Sequence, residues 1–203
     1  MRVVNIFSFL TSMTLITQVT AQTLVGGCDG CDMMFEGMPK TLTWNTKISS
    51  TSDEGEPLII SGTIFKPDGK TPAQGIILYV YHTDSKGKYT PADGQVNAKR
   101  HGHLRGWMKT DAQGRYELKT IRPASYPNTR IAQHIHPIIQ EPSLKYYYID
   151  EYLFTDDPFL TASEQARQEK RGGSGILTLK KNAQGVWIGK RDIVLGMNIP
   201  GYH

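Results

Sequence analysis

The chain has 203 residues, with 23 basic and 19 acidic side chains and a formal net charge of +4 at pH 7. The basic residues are scattered rather than clustered in stripes, which argues against a nucleic-acid-binding surface. Abundant glycine and proline, 20 and 11 residues, between short apolar runs favour one all-β domain.

Residues 1–21 have the pattern of a secretory signal peptide. Arg2 precedes an apolar run, residues 6–19, that is too short and too rich in Ser and Thr to span a membrane. Small residues then lead up to Ala21, so we expect cleavage there and a mature chain exported to the periplasm or secreted. In a second interpretation, residues 25–28 form a lipoprotein box and Cys28 carries the lipid. No other segment of the sequence approaches membrane-spanning length.

Cys28 and Cys31 follow directly, in an extension that we place at residues 22–56. Outside the cytoplasm, a disulfide is the first expectation for two cysteines. Asp29 and Gly30 between them are typical of a turn, whereas a thioredoxin-like redox pair opens a helix. A zinc site needs further ligands nearby, and none stands out. We predict a structural disulfide, with lipidation and reactive thiols as the alternatives.

One strand, 41–46, is predicted in the extension, and strands separated by turns are predicted from residue 57 onward. Their residues alternate or run apolar, and Gly, Pro, Asp and Asn punctuate them. The predicted strands are 41–46, 58–65, 75–82, 115–121, 146–154, 176–179 and 186–195, the last two as a hairpin. Residues 105–126 also have the pattern of a β-hairpin, with turn-forming residues at 110–114 between two strand-like segments. One helix is predicted, 161–171, with a capping box of Thr161 and Glu164.

His134-Ile135-His136 is the most informative motif. In a strand, side chains at i and i+2 share one face, so two imidazoles about 6–7 Å apart along the chain suit one metal ion. An exposed strand face that happens to carry two histidines is the plainer alternative. Pro123 and Pro127 stiffen the loop around Tyr126, which places a phenol within reach of the same ligand.

The frame RGWMKTDAQGRYELKTIRPASYP, followed by HIH, resembles the core signature of the intradiol ring-cleavage dioxygenases, the family of protocatechuate 3,4-dioxygenase and catechol 1,2-dioxygenase. ILYVYHTDSKGKY upstream resembles the family's apolar strand and GxY turn, so the resemblance covers residues 57–160. It implies an all-β sandwich over residues 57–203 with one short helix near the C-terminus. It also implies a non-haem Fe(III) ion, whose ligands would be Tyr89, Tyr126, His134 and His136.

The donor set itself favours ferric iron, because phenolate is a hard, strongly donating ligand and zinc usually adds Cys or carboxylate. The resemblance implies that a catechol-type diol displaces Tyr126. With O2, its ring would open between the two hydroxyl-bearing carbons to give a muconate-type diacid. A homo-oligomer is compatible with the resemblance.

Arg130 marks a departure from the family pattern. The resemblance implies an arginine three residues before the first histidine, but Ile131 stands there and Arg130 lies one position earlier. A one-residue shift reverses the strand face unless a bulge intervenes. Gln133 also replaces the usual alanine. We keep Arg130 as a predicted substrate-facing group.

Two alternatives stay open: a secreted transthyretin-like binding module, and a ferric or catecholate-binding protein without turnover. Among the other aromatic residues, we assign Tyr116 to the core and residues 146–154 to packing between the sheets. We place His101 and His103 on a solvated loop or cavity rim.

Overall fold

The computed structural model describes residues 23–28, 30–143 and 145–203. The predicted signal peptide, residues 1–21, lies outside these ranges. Over the described residues, no helix combines the length and apolar character needed to cross a bilayer.

Thirteen strands account for most of the regular structure in the described ranges. They are β1 (Thr23–Leu24), β2 (Asn45–Lys47), β3 (Pro57–Phe65), β4 (Ile77–His82), β5 (Arg105–Lys109), β6 (Arg115–Ile121), β7 (His134–Gln140), β8 (Lys145–Tyr148), β9 (Tyr152–Phe154), β10 (Ile176–Leu177), β11 (Lys180–Lys181), β12 (Trp187–Lys190) and β13 (Ile193–Val194). Two short 3-10 helices, Cys31–Phe35 and Asn97–His101, and one α-helix, Ala162–Ala166, complete the regular elements described.

Within the described residues, the strands form two sheets that pack face to face. One sheet has the order β1-β8-β7-β4-β5, with β9 beside β7 and β10 beside β9; the other has the order β11-β12-β3-β6-β2, with β13 beside β3. Alternate residues of β3 and β6 point inward, as the period of two in their sequences predicts. The predicted all-β sandwich is confirmed.

The core fills the space between the sheets. Leu58 and Ile60 on β3 meet Leu78 and Ile139 on β4 and β7, and all four side chains are fully buried. Tyr116 also belongs to this core, as predicted. Burial of such side chains supplies most of the stability of a sandwich.

Residues 105–126 do not form the predicted hairpin. β5 pairs with β4, whereas β6 pairs with β3 in the opposite sheet. The turn at Asp111 therefore carries the chain from one sheet to the other. Local turn chemistry is the same in both arrangements, so the sequence pattern alone did not distinguish them.

The predicted strand 146–154 is divided into β8 and β9. Asp150 interrupts it, because its carboxylate accepts hydrogen bonds from the backbone N–H groups of Lys170 and Arg171 at 2.7 and 3.1 Å. β8 then pairs with the end of β7 and β9 with its beginning. Tyr147 packs in the core as predicted.

The C-terminal elements differ from their predicted bounds. Thr161 caps the α-helix by accepting the N–H of Glu164, as the capping box predicts, but the helix ends at Ala166 rather than near Arg171. The final hairpin joins β11 to β12, whereas β10 and β13 pair in parallel with β9 and β3.

The N-terminal extension is tied to the seven-stranded sheet. Cys28 and Cys31 are joined by a disulfide with their Cα atoms 5.7 Å apart. Trp107 donates its indole N–H to the carbonyl of Met34 at 2.8 Å, and Arg105 donates to that of Glu36 at 2.7 Å. Arg105 thus holds the extension against β5.

Candidate metal centre

The two histidines at the start of β7 present the same ring nitrogen to a common point. Nδ1 of His134 lies 2.6 Å from the carbonyl oxygen of Ala132, and Nδ1 of His136 lies 3.0 Å from a carboxylate oxygen of Glu151. Each of these acceptors requires a proton on Nδ1. In a neutral imidazole, Nε2 is then a free acceptor, which is the form that binds a metal ion.

Tyr126 reaches this point from a loop. Its hydroxyl oxygen lies 3.0 Å from Nε2 of His134. The loop is fixed by Thr83, whose hydroxyl donates to the carbonyl of Ala124 at 2.7 Å. It also packs against the turn at Gly87, where an added Cβ would lie 2.1 Å from the carbonyl oxygen of Ser125.

Tyr89 arrives from that same turn. Its hydroxyl oxygen lies 2.9 Å from Nε2 of His136 and 2.9 Å from the hydroxyl oxygen of Tyr126. Asp84 shapes the turn by accepting the N–H groups of Lys86 and Lys88. Both phenol oxygens therefore lie within hydrogen-bonding distance of the paired imidazoles.

The four converging atoms have fewer protons than their mutual contacts require. With both imidazoles neutral, the Tyr126 hydroxyl donates to His134 and the Tyr89 hydroxyl donates to His136. No proton then remains for the 2.9 Å contact between the two phenol oxygens. A cation between the four lone pairs removes this deficit. Ligand atoms about 2.0–2.2 Å from a metal ion lie roughly 3 Å apart, so the spacing fits an ion.

The surroundings disfavour charge on three of the four donor side chains before a metal ion binds. Burial, together with the Tyr126 hydroxyl, raises the pKa of Tyr89 well above its ordinary value, and burial raises the pKa of Tyr126. Burial and the adjacent His136 lower the pKa of His134. Both phenols are therefore protonated at neutral pH, and binding a trivalent cation would release their protons.

Glu151 is a site residue that sequence reasoning missed. It follows Asp150 at the break between β8 and β9, and no motif marks it. Ligand atoms of His134, His136 and Glu151 all lie within 4.8 Å of one another. Glu151 nevertheless binds the Nδ1 of His136, on the side of the ring that faces away from the phenols. It is therefore a partner of His136 rather than a fifth donor to the same ion.

A cavity of about 500 Å³ opens beside the centre. Its walls include Tyr81, His136, Tyr148, Glu151, Arg167 and Gln168. Tyr81 stacks on the His136 ring, with centroids 4.6 Å apart. The cavity has the size of pockets that accept small organic ligands.

The remaining predicted residues lie as follows. Arg130 is exposed on the loop between Tyr126 and His134, so its predicted role stays a prediction. His103 is partly exposed, as expected, but the expectation for His101 was wrong: it is buried, with Nδ1 2.8 Å from the Tyr79 hydroxyl oxygen. The loop that carries His101 packs against Tyr81, and the Tyr81 ring stacks on the imidazole of His101.

Comparison with known proteins gives consistent matches. A family model described as Dioxygenase matches residues 35–171, about two thirds of the chain. Catechol 1,2-dioxygenase 1 of Acinetobacter lwoffii is 42% identical over 82 residues, 40% of this chain and 26% of that protein. Chlorocatechol 1,2-dioxygenase of Pseudomonas sp. (strain P51) is 36% identical over 74 residues, 36% of this chain and 28% of that protein. The chain thus spans only about a quarter of the length of these two curated relatives.

Solved structures share the fold. Catechol 1,2-dioxygenase from Pseudomonas arvilla C-1 superposes with a TM-score of 0.60 at 20% identity, covering 78% of this chain and 58% of that one. The dioxygenase domain of a carbohydrate-binding fusion from Streptomyces sp. SirexAA-E gives 0.56 at 23% identity, covering 79% of this chain and 94% of that one. At these identities the likeness establishes the fold.

Proposed function

The chain belongs to the intradiol ring-cleavage dioxygenase family, and from this premise we propose that it is a non-haem ferric dioxygenase. Its substrates would be a catechol-type aromatic diol and O2. The product would be a muconate-type diacid, formed by opening the ring between the two hydroxyl-bearing carbons with both oxygen atoms incorporated.

The observation that carries this proposal is the convergence of the oxygen atoms of Tyr89 and Tyr126 with the Nε2 atoms of His134 and His136, each 2.9–3.0 Å from its neighbour. Two phenolates and two imidazoles suit a hard trivalent ion. A binding module without a metal ion does not need these four side chains at one point.

When bound, ferric iron would lower the pKa of the diol hydroxyls and draw electron density from the ring. The chain supplies orientation and proton handling. Tyr126 extends from a loop, so its oxygen can leave the centre and accept a proton from the incoming diol. Tyr89, His134 and His136 are anchored by a tight turn and a strand and stay in place. Tyr81 covers one face of His136 and shields it from water.

The visible spectrum of the purified, iron-loaded protein tests the proposal. Charge transfer from tyrosinate to ferric iron gives a red-brown colour, which changes when catechol binds. We expect catechol to be consumed together with an equal amount of O2. A colourless iron-loaded protein would contradict the four-donor centre. Colour without O2 consumption would instead support a ferric or catecholate-binding protein without turnover, the alternative that exposed Arg130 favours.

Tyr89→Phe provides the residue-level test. Removing the phenol oxygen that touches both Tyr126 and His136 should bleach or shift the visible band, because one of two tyrosinate donors is lost. Tyr116→Phe is the matched control. Its hydroxyl lies in the core and donates to the carbonyl of Arg191, so the substitution should cost about 1 kcal/mol of stability and leave the band nearly unchanged. Equal spectra for both variants would refute the assignment of Tyr89.

We also propose that the mature chain, beginning at Gln22, is exported. The Cys28–Cys31 disulfide supports this location, since disulfides persist in oxidising compartments. A disulfide-bonded Cys28 is also unavailable for lipidation. N-terminal sequencing of the exported protein distinguishes a start at Gln22 from a lipidated start at Cys28.

A further inference from the structure

The two imidazoles of the candidate metal centre differ in the group that accepts a hydrogen bond from Nδ1. Nδ1 of His134 faces the neutral carbonyl of Ala132 at 2.6 Å, whereas Nδ1 of His136 faces the Glu151 carboxylate at 3.0 Å. Of the two acceptors, only the Glu151 side chain is a carboxyl group, and it accepts the Nδ1–H of His136 on the side of the ring that faces away from the phenols.

The backbone around Glu151 is fixed on both sides. The carboxylate of Asp150 holds the N–H groups of Lys170 and Arg171, and the carbonyl of Asp150 accepts a hydrogen bond from the buried Arg191 at 2.6 Å. On the other side, Tyr152 pairs with Ile135 in β7. Glu151 is thus anchored to the strand that carries both histidines.

We propose that Glu151 is a positioning residue that fixes the tautomer of His136 and supplies the anion that completes the charge balance of the ferric centre. A carboxylate behind a metal-bound imidazole orients the ring and raises its basicity. The negative charges of two phenolates and one carboxylate together equal the charge of one trivalent cation. This inference rests on the proposed ferric function, and it concerns the ionic state of the centre rather than the identity of the four donors.

Glu151→Gln separates charge from hydrogen bonding. The glutamine amide oxygen can still accept the Nδ1–H of His136, so the tautomer is kept while the negative charge is lost. A less neutralised ferric ion attracts electrons more strongly, so the tyrosinate charge-transfer band should move to longer wavelength. Ferric affinity, measured by competition with a chelator, should fall about 10–100-fold, as for comparable partners of metal-bound histidines.

Glu151→Ala and Glu164→Gln complete the series. Glu151→Ala also removes the acceptor, so its ferric affinity should fall below that of Glu151→Gln. Glu164 pairs with Arg167 on the short helix near the cavity and has no contact with either histidine, so Glu164→Gln controls for the loss of one carboxylate. Its band and affinity should match those of the unmodified protein.

The outcomes separate the two proposals. If the iron-loaded unmodified protein is colourless, the ferric function itself is contradicted. If it is coloured and Glu151→Gln has the same band and ferric affinity, the proposed charge role of Glu151 is wrong, even if Glu151→Ala binds ferric iron less tightly. A red-shifted band with reduced ferric affinity in Glu151→Gln, with Glu164→Gln unchanged, supports the inference. A merely structural role would lower the melting temperature of the iron-free protein without moving the band.

Discussion

His103 lies next to the centre without belonging to it. Its Nε2 lies 2.7 Å from the Asp53 carboxylate and its Nδ1 lies 2.7 Å from the carbonyl of Thr90, the residue after Tyr89. Both neighbours are acceptors, so both contacts are satisfied only when the imidazole is protonated. His103 thereby ties the acidic segment before β3 to the turn that carries Tyr89.

The two hydrogen bonds of protonated His103 predict that the stability of the protein depends on pH. Burial opposes the charged form, but the hydrogen bonds to Asp53 and Thr90 outweigh it and raise the pKa of His103 above its ordinary value of about 6.5. A raised folded-state pKa contributes stability that is fully present below the unfolded pKa and is lost as the pH rises through the folded pKa. The same contact lowers the pKa of Asp53, so its contribution is lost as the pH falls through that lowered value.

We therefore compare the melting temperature of the iron-free protein with that of His103→Gln across pH. The difference should be largest in mildly acidic solution and should shrink as the pH rises past the pKa of His103. A melting-temperature difference that grows as the pH rises would contradict the assignment of a protonated His103.

Among the structural elements, two loops rather than two strands set the distance between the phenols. Gly87 has φ 72° in the turn before Tyr89, and the space where its side chain would lie is occupied by the carbonyl of Ser125, next to Tyr126. The absence of a Cβ at Gly87 therefore allows the two loops to lie in contact.

Gly87→Ala should separate the two phenols. The new Cβ would meet backbone at 2.1 Å, so the Tyr126 loop must move, and turnover should fall by about 100-fold, as expected for a misplacement near 1 Å. Gly94→Ala is the matched control, because Gly94 also has positive φ, 81°, but open space around it. Both variants should lose about 1 kcal/mol or more of stability from backbone strain. Equal activity in the two would show that the loop contact does not set the site.

Much of the element pattern was predictable from the sequence, and the failures share a cause. The strand at residues 115–121 and the capping box at Thr161 follow from local periodicity and local hydrogen bonding. The placement of β5 and β6 in different sheets does not, because the turn at Asp111 is compatible with both arrangements. The break at Asp150 likewise depends on distant backbone groups, the N–H groups of Lys170 and Arg171.

At the scale of the whole molecule, the cavity beside the centre is acidic. Asp150, Glu151 and Glu169 line it against one cation, Arg167. Glu169 is paired with Arg171 and Arg167 with Glu164, so Asp150 and Glu151 leave the lining with an excess of negative charge. A catechol bearing a ring carboxylate therefore meets like charge as it enters, and like charges brought together at a binding site oppose each other.

Neutral catechol should accordingly be the better substrate. We expect kcat/KM for a carboxylated catechol to be lower by about tenfold, equivalent to about 1.4 kcal/mol. The difference in kcat/KM between the two substrates should become smaller at high ionic strength, because salt screens charges near the surface. O2 uptake with both substrates at low and high salt measures the ratio. A carboxylated catechol that reacts as fast as catechol at low salt would contradict an acidic entrance.

The sequence by itself determined the all-β class, the family, and the shared face of His134 and His136, because strand alternation and turn chemistry act over a few residues. Only the tertiary structure decided that Tyr89 meets His136 across 47 positions of the chain, that Glu151 lies behind that ring, and that His101 is buried. The physical reason is that local periodicity fixes which way a side chain points, whereas the packing of two sheets fixes what it meets.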